Sequence, residues 1–188
     1  MTNLKFAPAT AALCLLAITA LQSCDKIAEQ LNYDLPLQTG NIQISIPPSS
    51  DLSAAHVLGT GTSYYNIDSF IKAGTKNLLG VKNIRTVTLS SCTVTLNNPT
   101  SANNFSNIES AYSSFYSDGN STPYQLSLNT IPDEYSSLLS IPVDGTAELK
   151  TYLSGNHFTY TLGGKLRKAI TDTLKCTVQY SYNVNIKG

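Results

Sequence analysis

Leu174 to Ile186 reads LKCTVQYSYNVNI, and its alternation is unbroken. Leu174, Cys176, Val178, Tyr180, Tyr182, Val184 and Ile186 fall on one parity, while Lys175, Thr177, Gln179, Ser181, Asn183 and Asn185 fall on the other. Period two marks a strand with one buried and one wet face, because a helix would scatter these residues around its circumference. At about 3.3 Å per residue the strand is roughly 40 Å long, longer than most, so it is expected to bend or change partners.

The same pattern recurs upstream in weaker form. NIQISIP alternates Ile42, Ile44 and Ile46 and stops at Pro47-Pro48. IRTVTLSSCTVTL puts Val87 and Leu89 on one parity and Cys92, Val94 and Leu96 on the other, the phase shift at Ser90-Ser91 that a β-bulge produces. ESAYSSFYS and YQLSLNTIP read as strands joined near Asp118-Gly119. Leu138–Val143 is a shorter strand ended by Asp144-Gly145, and HFTYTL stops at Gly163-Gly164. Two short helices are expected. One is capped by Asn66 and closed by Gly74, the other capped by Thr146 and closed by Gly155. Ser49 to Tyr65 reads as a loop. Six to eight short strands with turns between them predict a mainly β fold, an antiparallel β-sandwich with Greek-key or jelly-roll connections and two short helices. Helices do not alternate with strands, which disfavours a parallel sheet.

Composition narrows the function classes. The chain has 188 residues, enough for one domain with its own core, and only 13% are charged. Lys and Arg number 12 and so do Asp and Glu, which leaves no basic excess for a nucleic-acid backbone. Ala11 to Leu21 is apolar except for Thr19, about half the length that spans a bilayer, and reads as the hydrophobic part of a signal peptide.

That run ends in Leu21-Gln22-Ser23-Cys24, which resembles the lipobox of bacterial lipoproteins, in the looser form common in the Bacteroidota. Leu21, Ser23 and Cys24 match the pattern, and Gln22 stands where a small or aliphatic residue is usual. The resemblance implies that residues 1–23 are removed, that Cys24 is lipidated (palmitate being the label to follow) and that residues 24–36 tether a domain over 37–188. Two or more acyl chains hold a protein stably on a membrane where one does not. Lys5 is the only charged residue before Cys24, so the mature net charge becomes 11 − 12 = −1. The segment after Cys24 has no dense acidic run, which in this resemblance favours an outer-membrane, periplasm-facing position. The plainer alternative is a secreted protein with Cys24 a free thiol near one end.

The search for catalytic patterns finds little. His56 and His157 are the two histidines, without H-E-x-x-H, C-x-x-C or G-x-S-x-G, so no metal, cofactor or nucleophile pattern stands out and a non-enzyme is expected. Asp118-Gly119-Asn120 lacks the other oxygens of a calcium loop, and adjacent Asp133-Glu134 side chains would point apart. Cys92 and Cys176 form a disulfide or remain two buried thiols. Tyr64, Tyr65, Tyr112, Tyr116, Tyr124 and Tyr135 would make a sugar- or protein-binding surface, or pack at sheet edges with wet hydroxyls. Asp172-Thr173-Leu174 matches a short O-glycosylation motif of extracytoplasmic Bacteroidota proteins, with Thr173 as acceptor. Together these predict a lipid-anchored, non-enzymatic envelope lipoprotein that binds an envelope protein or serves structurally. The alternative is a glycan- or lipid-binding carrier.

Overall fold

In the computed structural model, which describes residues 32–188, nine strands build two antiparallel sheets. They are β1 (Asn32–Gln38), β2 (Ile42–Ile46), β3 (His56–Tyr64), β4 (Ile84–Leu96), β5 (Ile108–Ser117), β6 (Asn120–Leu128), β7 (Leu138–Ile141), β8 (His157–Leu166) and β9 (Leu174–Lys187). One sheet runs β1-β9-β4-β7 with β2 also on β9, and the other runs β3-β8-β5-β6. The pairs are nested: β5–β6 innermost, then β4–β7, β3–β8 and β2–β9, each in the opposite sheet from the last. One long hairpin rolled up in this way is a jelly roll.

β9 is the spine. Its seven alternating residues from Leu174 to Ile186 are all at most 1% exposed. Burying each large one contributes about 1.5–3 kcal/mol. The strand changes partner along one edge, pairing with β2 over Leu174–Val178 and with β1 over Ser181–Lys187. Thr39 sits at the changeover, its amide donating to the Tyr180 carbonyl at 2.9 Å and its Oγ1 accepting from the Tyr180 amide at 3.0 Å. On the other side β4 bulges between Leu89 and Ser91, and the shift keeps Val87, Leu89, Cys92, Val94 and Leu96 all buried.

Four expectations need correction. The folded domain starts before residue 37, because Asn32 to Pro36 already pair with β9. Tyr33, Leu35 and Leu37 alternate inward there, and Pro36 is tolerated because β1 is an edge strand. The expected loop Ser49–Tyr65 contains β3. Its Gly59 and Gly61 carry no side chains because β2 lies against them: a Cβ on Gly59 would meet the Ser45 carbonyl at about 2.5 Å, and one on Gly61 the Gln43 carbonyl at about 2.8 Å. β8 does not stop at Gly163-Gly164 but runs through to Leu166. Tyr112 pairs across from Gly163 and its ring occupies the space a Cβ would take. Of the two helices, α1 (Ile67–Gly74) forms with the Asn66 side chain accepting from the Ser69 amide at 2.9 Å, but Gly74 is its last residue and Thr75 closes it, donating its amide to the Ile71 carbonyl. The second shrinks to a 3-10 turn over Tyr152–Ser154. Its upstream half is committed elsewhere: the Leu149 amide donates to the Val87 carbonyl, and Glu148 accepts from the Val87 amide.

The end where β1 begins and β9 finishes is called the near end below. It also carries α1, the β5–β6 turn and the Tyr152 turn. The far end gathers the segments 97–107, 129–137 and 167–173.

Candidate functional site

Cys24 lies outside the described residues. What the structure fixes is where the chain enters the fold. Seven residues separate Cys24 from Asn32, and Asn32 sits at the near end opposite Lys187.

The six tyrosines do not make one surface. Tyr112 and Tyr116 project from the outer face of β5, and Tyr64 lies on the same outer face at the end of β3, edge-on to His157 with centroids 5.0 Å apart. Between them run Thr62, Thr159, Thr161 and Ser114 in register, so the strip between these tyrosines is hydroxyl-rich and uncharged. Tyr65 is half-buried against Phe70 and Tyr124 turns inward to Phe115, and burial raises both phenol pKa values. Tyr135 stands apart, exposed in the β6–β7 loop.

Inside, aromatic rings fill the space between the sheets. Phe115 has Tyr180 at 5.2 Å, Tyr152 at 5.3 Å and Tyr182 at 6.0 Å, and Tyr160 stacks on Tyr180 at 5.4 Å. The Tyr180 and Ser113 hydroxyls bond at 2.6 Å, and Ser113 donates on to the Thr161 carbonyl at 3.3 Å. Among the described residues the Tyr182 hydroxyl is buried without a partner. A cavity of about 10 Å³ lined in part by Leu37, Tyr65, Phe158, Tyr160 and Tyr182 is barely large enough for one water and holds no acyl chain.

Of the two alternatives for Cys92 and Cys176, the structure has the buried thiols: both are free and buried, with no disulfide between them. They lie on neighbouring strands but out of register, Cys92 opposite Tyr180 and Cys176 opposite Leu96. Four residues of stagger put them roughly 13 Å apart along the strand, beyond what a disulfide spans. Burial pushes each thiol up to about 12, so both behave as small apolar groups.

The histidines sit at opposite ends of the β3–β8 ladder, His56 opposite Gly164 and His157 opposite Tyr64. Near His56 an acid and a hydroxyl do meet, but in the wrong order for nucleophilic catalysis. Ser53 Oγ donates to Asp51 at 2.6 Å, while His56 Nδ1 faces the Ala54 carbonyl at 3.0 Å. A serine relay needs the imidazole between the hydroxyl and the carboxylate. The Ser53 hydroxyl and amide hold the Asp51 carboxyl below its usual range. Asp118 accepts from the amides of Asn156 and His157, which makes it a turn clamp. Asp133 is taken by Lys168 at 2.6 Å, which lowers its pKa. Among the described residues no three His, Cys, Asp or Glu side chains gather as metal ligands, and no helix is long and apolar enough to cross a membrane.

Sequence reading missed the far-end groove. It lies between β6 and β7, lined by Leu128, Ile131, Pro132, Tyr135, Leu138 and Leu139, with Tyr135 62% and Leu138 56% exposed. Arg167 holds its floor, donating to the carbonyls of Ser106 at 3.0 Å and Ile131 at 2.5 Å. Ser136 Oγ accepts from the Leu138 amide and donates to its carbonyl. The only hint in the sequence was Leu138, an apolar residue on the wet parity of β7. Thr173 is at the same end, exposed, in a turn fixed by Asn98, whose Nδ2 donates to the Thr173 carbonyl at 2.9 Å.

No family model matches the chain, and no curated protein does. Among solved structures it is similar to a cryo-EM structure of a semi-empty particle of the giant freshwater prawn Macrobrachium rosenbergii nodavirus. That match has 10% identity over 85% of this chain and 86% of the other, with a TM-score of 0.33. It is also similar to turnip yellow mosaic virus, at 12% identity over 84% and 94% of the two chains and a TM-score of 0.32. A third, desmodium yellow mottle tymovirus, has 8% identity over 83% and 90%, with a TM-score of 0.26. The fold assignment rests on the sheet order and nested pairing described above.

Proposed function

We propose that this protein is a lipid-anchored, non-enzymatic lipoprotein of the cell envelope, held in the outer membrane by acyl chains on Cys24 and facing the periplasm. In this reading its far end is presented to an envelope protein partner. The observation that carries it is the string Leu21-Gln22-Ser23-Cys24 after an apolar run, seven residues before the first strand. An anchor there holds one end of the sandwich at the membrane and leaves the Tyr135–Leu138 groove about 40 Å away along β9. A filled core with an exposed apolar groove suits a protein partner better than a carried lipid. Exposed Thr173, at the same end of the sandwich, would carry the O-glycan.

Cys24→Ala in cells fed labelled palmitate is expected to lose the label, and undiminished label would remove the anchor. Crosslinking the native protein in its own membrane is expected to capture a partner that Leu138→Asp releases. Capture unaffected by Leu138→Asp would move the contact elsewhere.

A glycan is the second reading, favoured by the uncharged strip between Tyr64, Tyr112 and Tyr116 on the outer face. Tyrosine fluorescence titrated with envelope glycans separates the two, since a response lost in Tyr112→Ala and Tyr116→Ala would put the ligand on that face.

A further inference from the structure

Four cations meet at the near end from three separate stretches of chain. Lys82 lies in the 3-10 turn before β4, Arg85 is the second residue of β4, Lys150 follows Leu149, and Lys187 closes β9. All four are exposed and, together with Asn83 and Ile84, line one shallow depression that the terminal Gly188 also borders. Among the described residues none of the four forms an ion pair. The pairs that do form are Lys72 with Asp68, Lys165 with Glu109, and Arg167 and Lys168 with Asp133. Three side-chain carboxylates lie close by and are held by other groups. Asp68 pairs with Lys72 at 2.6 Å and accepts from the Val81 amide at 2.9 Å. Glu148 accepts from the amides of Val87 and Lys150, and Asp34 accepts from Asn185 at 2.7 Å.

The place of this cluster is set by the sheet. Asn32 pairs with Lys187, and Ile84 pairs with Ile186 on the other side of β9, so the first described residue lies within two strand widths of the depression. Asn83 adds a cross-link, its Nδ2 donating to the Lys187 carbonyl at 3.3 Å. The seven residues between Cys24 and Asn32 extend at most about 30 Å. A tether of that length, joined at that corner, brings the cluster within reach of the bilayer surface. Exposed charges act over about 8–10 Å at ordinary ionic strength, so cations on this face feel a lipid headgroup where cations at the far end do not.

We infer that the Lys82–Arg85–Lys150–Lys187 face is a seat for the phosphate groups of anionic phospholipids in the membrane that holds the anchor. It adds an electrostatic contact to the acyl chains and stands the sandwich upright on its near end. Cations beside an anchor act in this way additively and in a salt-sensitive manner. The inference rests on the anchor reading for its geometry, and the test separates the two.

The native lipidated chain is reconstituted in vesicles of phosphatidylcholine, alone or mixed with phosphatidylglycerol, and its lysines are acylated and read by mass spectrometry. Lys82, Lys150 and Lys187 are expected to be protected several-fold in the anionic vesicles only, and to lose that protection at about 0.5 M salt. Lys165 and Lys168 at the far end should label equally in both. Equal labelling of the two groups on fully vesicle-bound protein overturns the inference and leaves the anchor standing. In parallel, full-length Cys24→Ala chain is sedimented with phosphatidylglycerol vesicles, with and without Lys82→Gln, Arg85→Gln, Lys150→Gln and Lys187→Gln. The four changes should weaken partition by about tenfold or more. Partition unchanged by them overturns the inference, whereas a loss supports it even if Cys24 takes no palmitate. Protection seen in native membranes but not in lipid vesicles would assign the face to an acidic protein and also overturn it.

Discussion

At the far end of the sandwich, Lys165 meets Glu109 and Asp133 gathers Lys168 and Arg167. Beneath these pairs Asn103, Asn104 and Asn107 are buried and fully engaged. Asn107 donates to the carbonyls of Ala102 and Ala169, and Asn103 clamps Thr171 and Asp172. At the near end Lys72 pairs with Asp68 along α1, but four further cations stand in water, and Glu148 and Asp34 beside them serve backbone amides and Asn185. The difference teaches that a chain with equal numbers of acids and bases still separates their work. One end uses polar groups to fix long loops, while the other leaves charge free for an encounter.

Four experiments break or sharpen that contrast, taken from the largest expected effect to the smallest. The reference is the core shared by both ends. Cys92 and Cys176 are raised from 9.0 to about 12 and Tyr160 from 10.0 to about 12, while burial also raises Tyr180 and Tyr182. Above pH 9 the unfolded chain therefore loses protons that the folded chain keeps, and stability falls as pH rises, by about 1.4 kcal/mol per group per pH unit. The urea midpoint should drop steadily from pH 9 toward 12, and a flat profile would show that these groups ionise in place.

Asn107→Ala is the sharpest blow to the far end. It strands the Ala102 and Ala169 carbonyls and the Asn104 amide, at a cost of about 2–4 kcal/mol by urea unfolding, with vesicle partition unchanged. The near end has a milder counterpart in Asn66→Ala, which removes the cap of α1 and should cost about 1 kcal/mol in the same assay. Smallest of all, the four glutamine substitutions at Lys82, Arg85, Lys150 and Lys187 should move stability by less than about 0.5 kcal/mol. A loss above 1 kcal/mol on that set would mean the cations hold the fold, and the contrast between the ends would fail.

Much of the sandwich was legible because its central strands advertise their faces. β9 declared every inward residue, and the Ser90-Ser91 phase shift marked the bulge in β4. β3 was illegible for the opposite reason. Its pairing is secured by what Gly59 and Gly61 lack, and the need for that absence comes from β2, which lies against them in the other sheet. Whether Cys92 and Cys176 bond stayed open in the sequence because parity shows which face a residue takes, and only register shows how far along it sits. Which tyrosines would face outward stayed open in the sequence because tyrosine suits a wet edge and a dry core about equally, and Tyr124 and Tyr65 pack half-buried at sheet edges. The basic cluster could not be read at all, since only nested pairing brings residues 82, 85, 150 and 187 to one corner.

The nesting of the hairpins also fixes an order in time. The innermost pair, β5–β6, closes across a two-residue turn, whereas β1 and β2 find their partner in the last strand of the chain. A chain made from its N-terminus therefore holds β1 and β2 without that partner until the fourteen-residue β9 arrives, and closing the sheet is the late, slow step of a high-contact-order fold. Loss of β9 would strip β1, β2 and β4 of their shared neighbour at once, so a strand made late decides whether strands made much earlier have a structure.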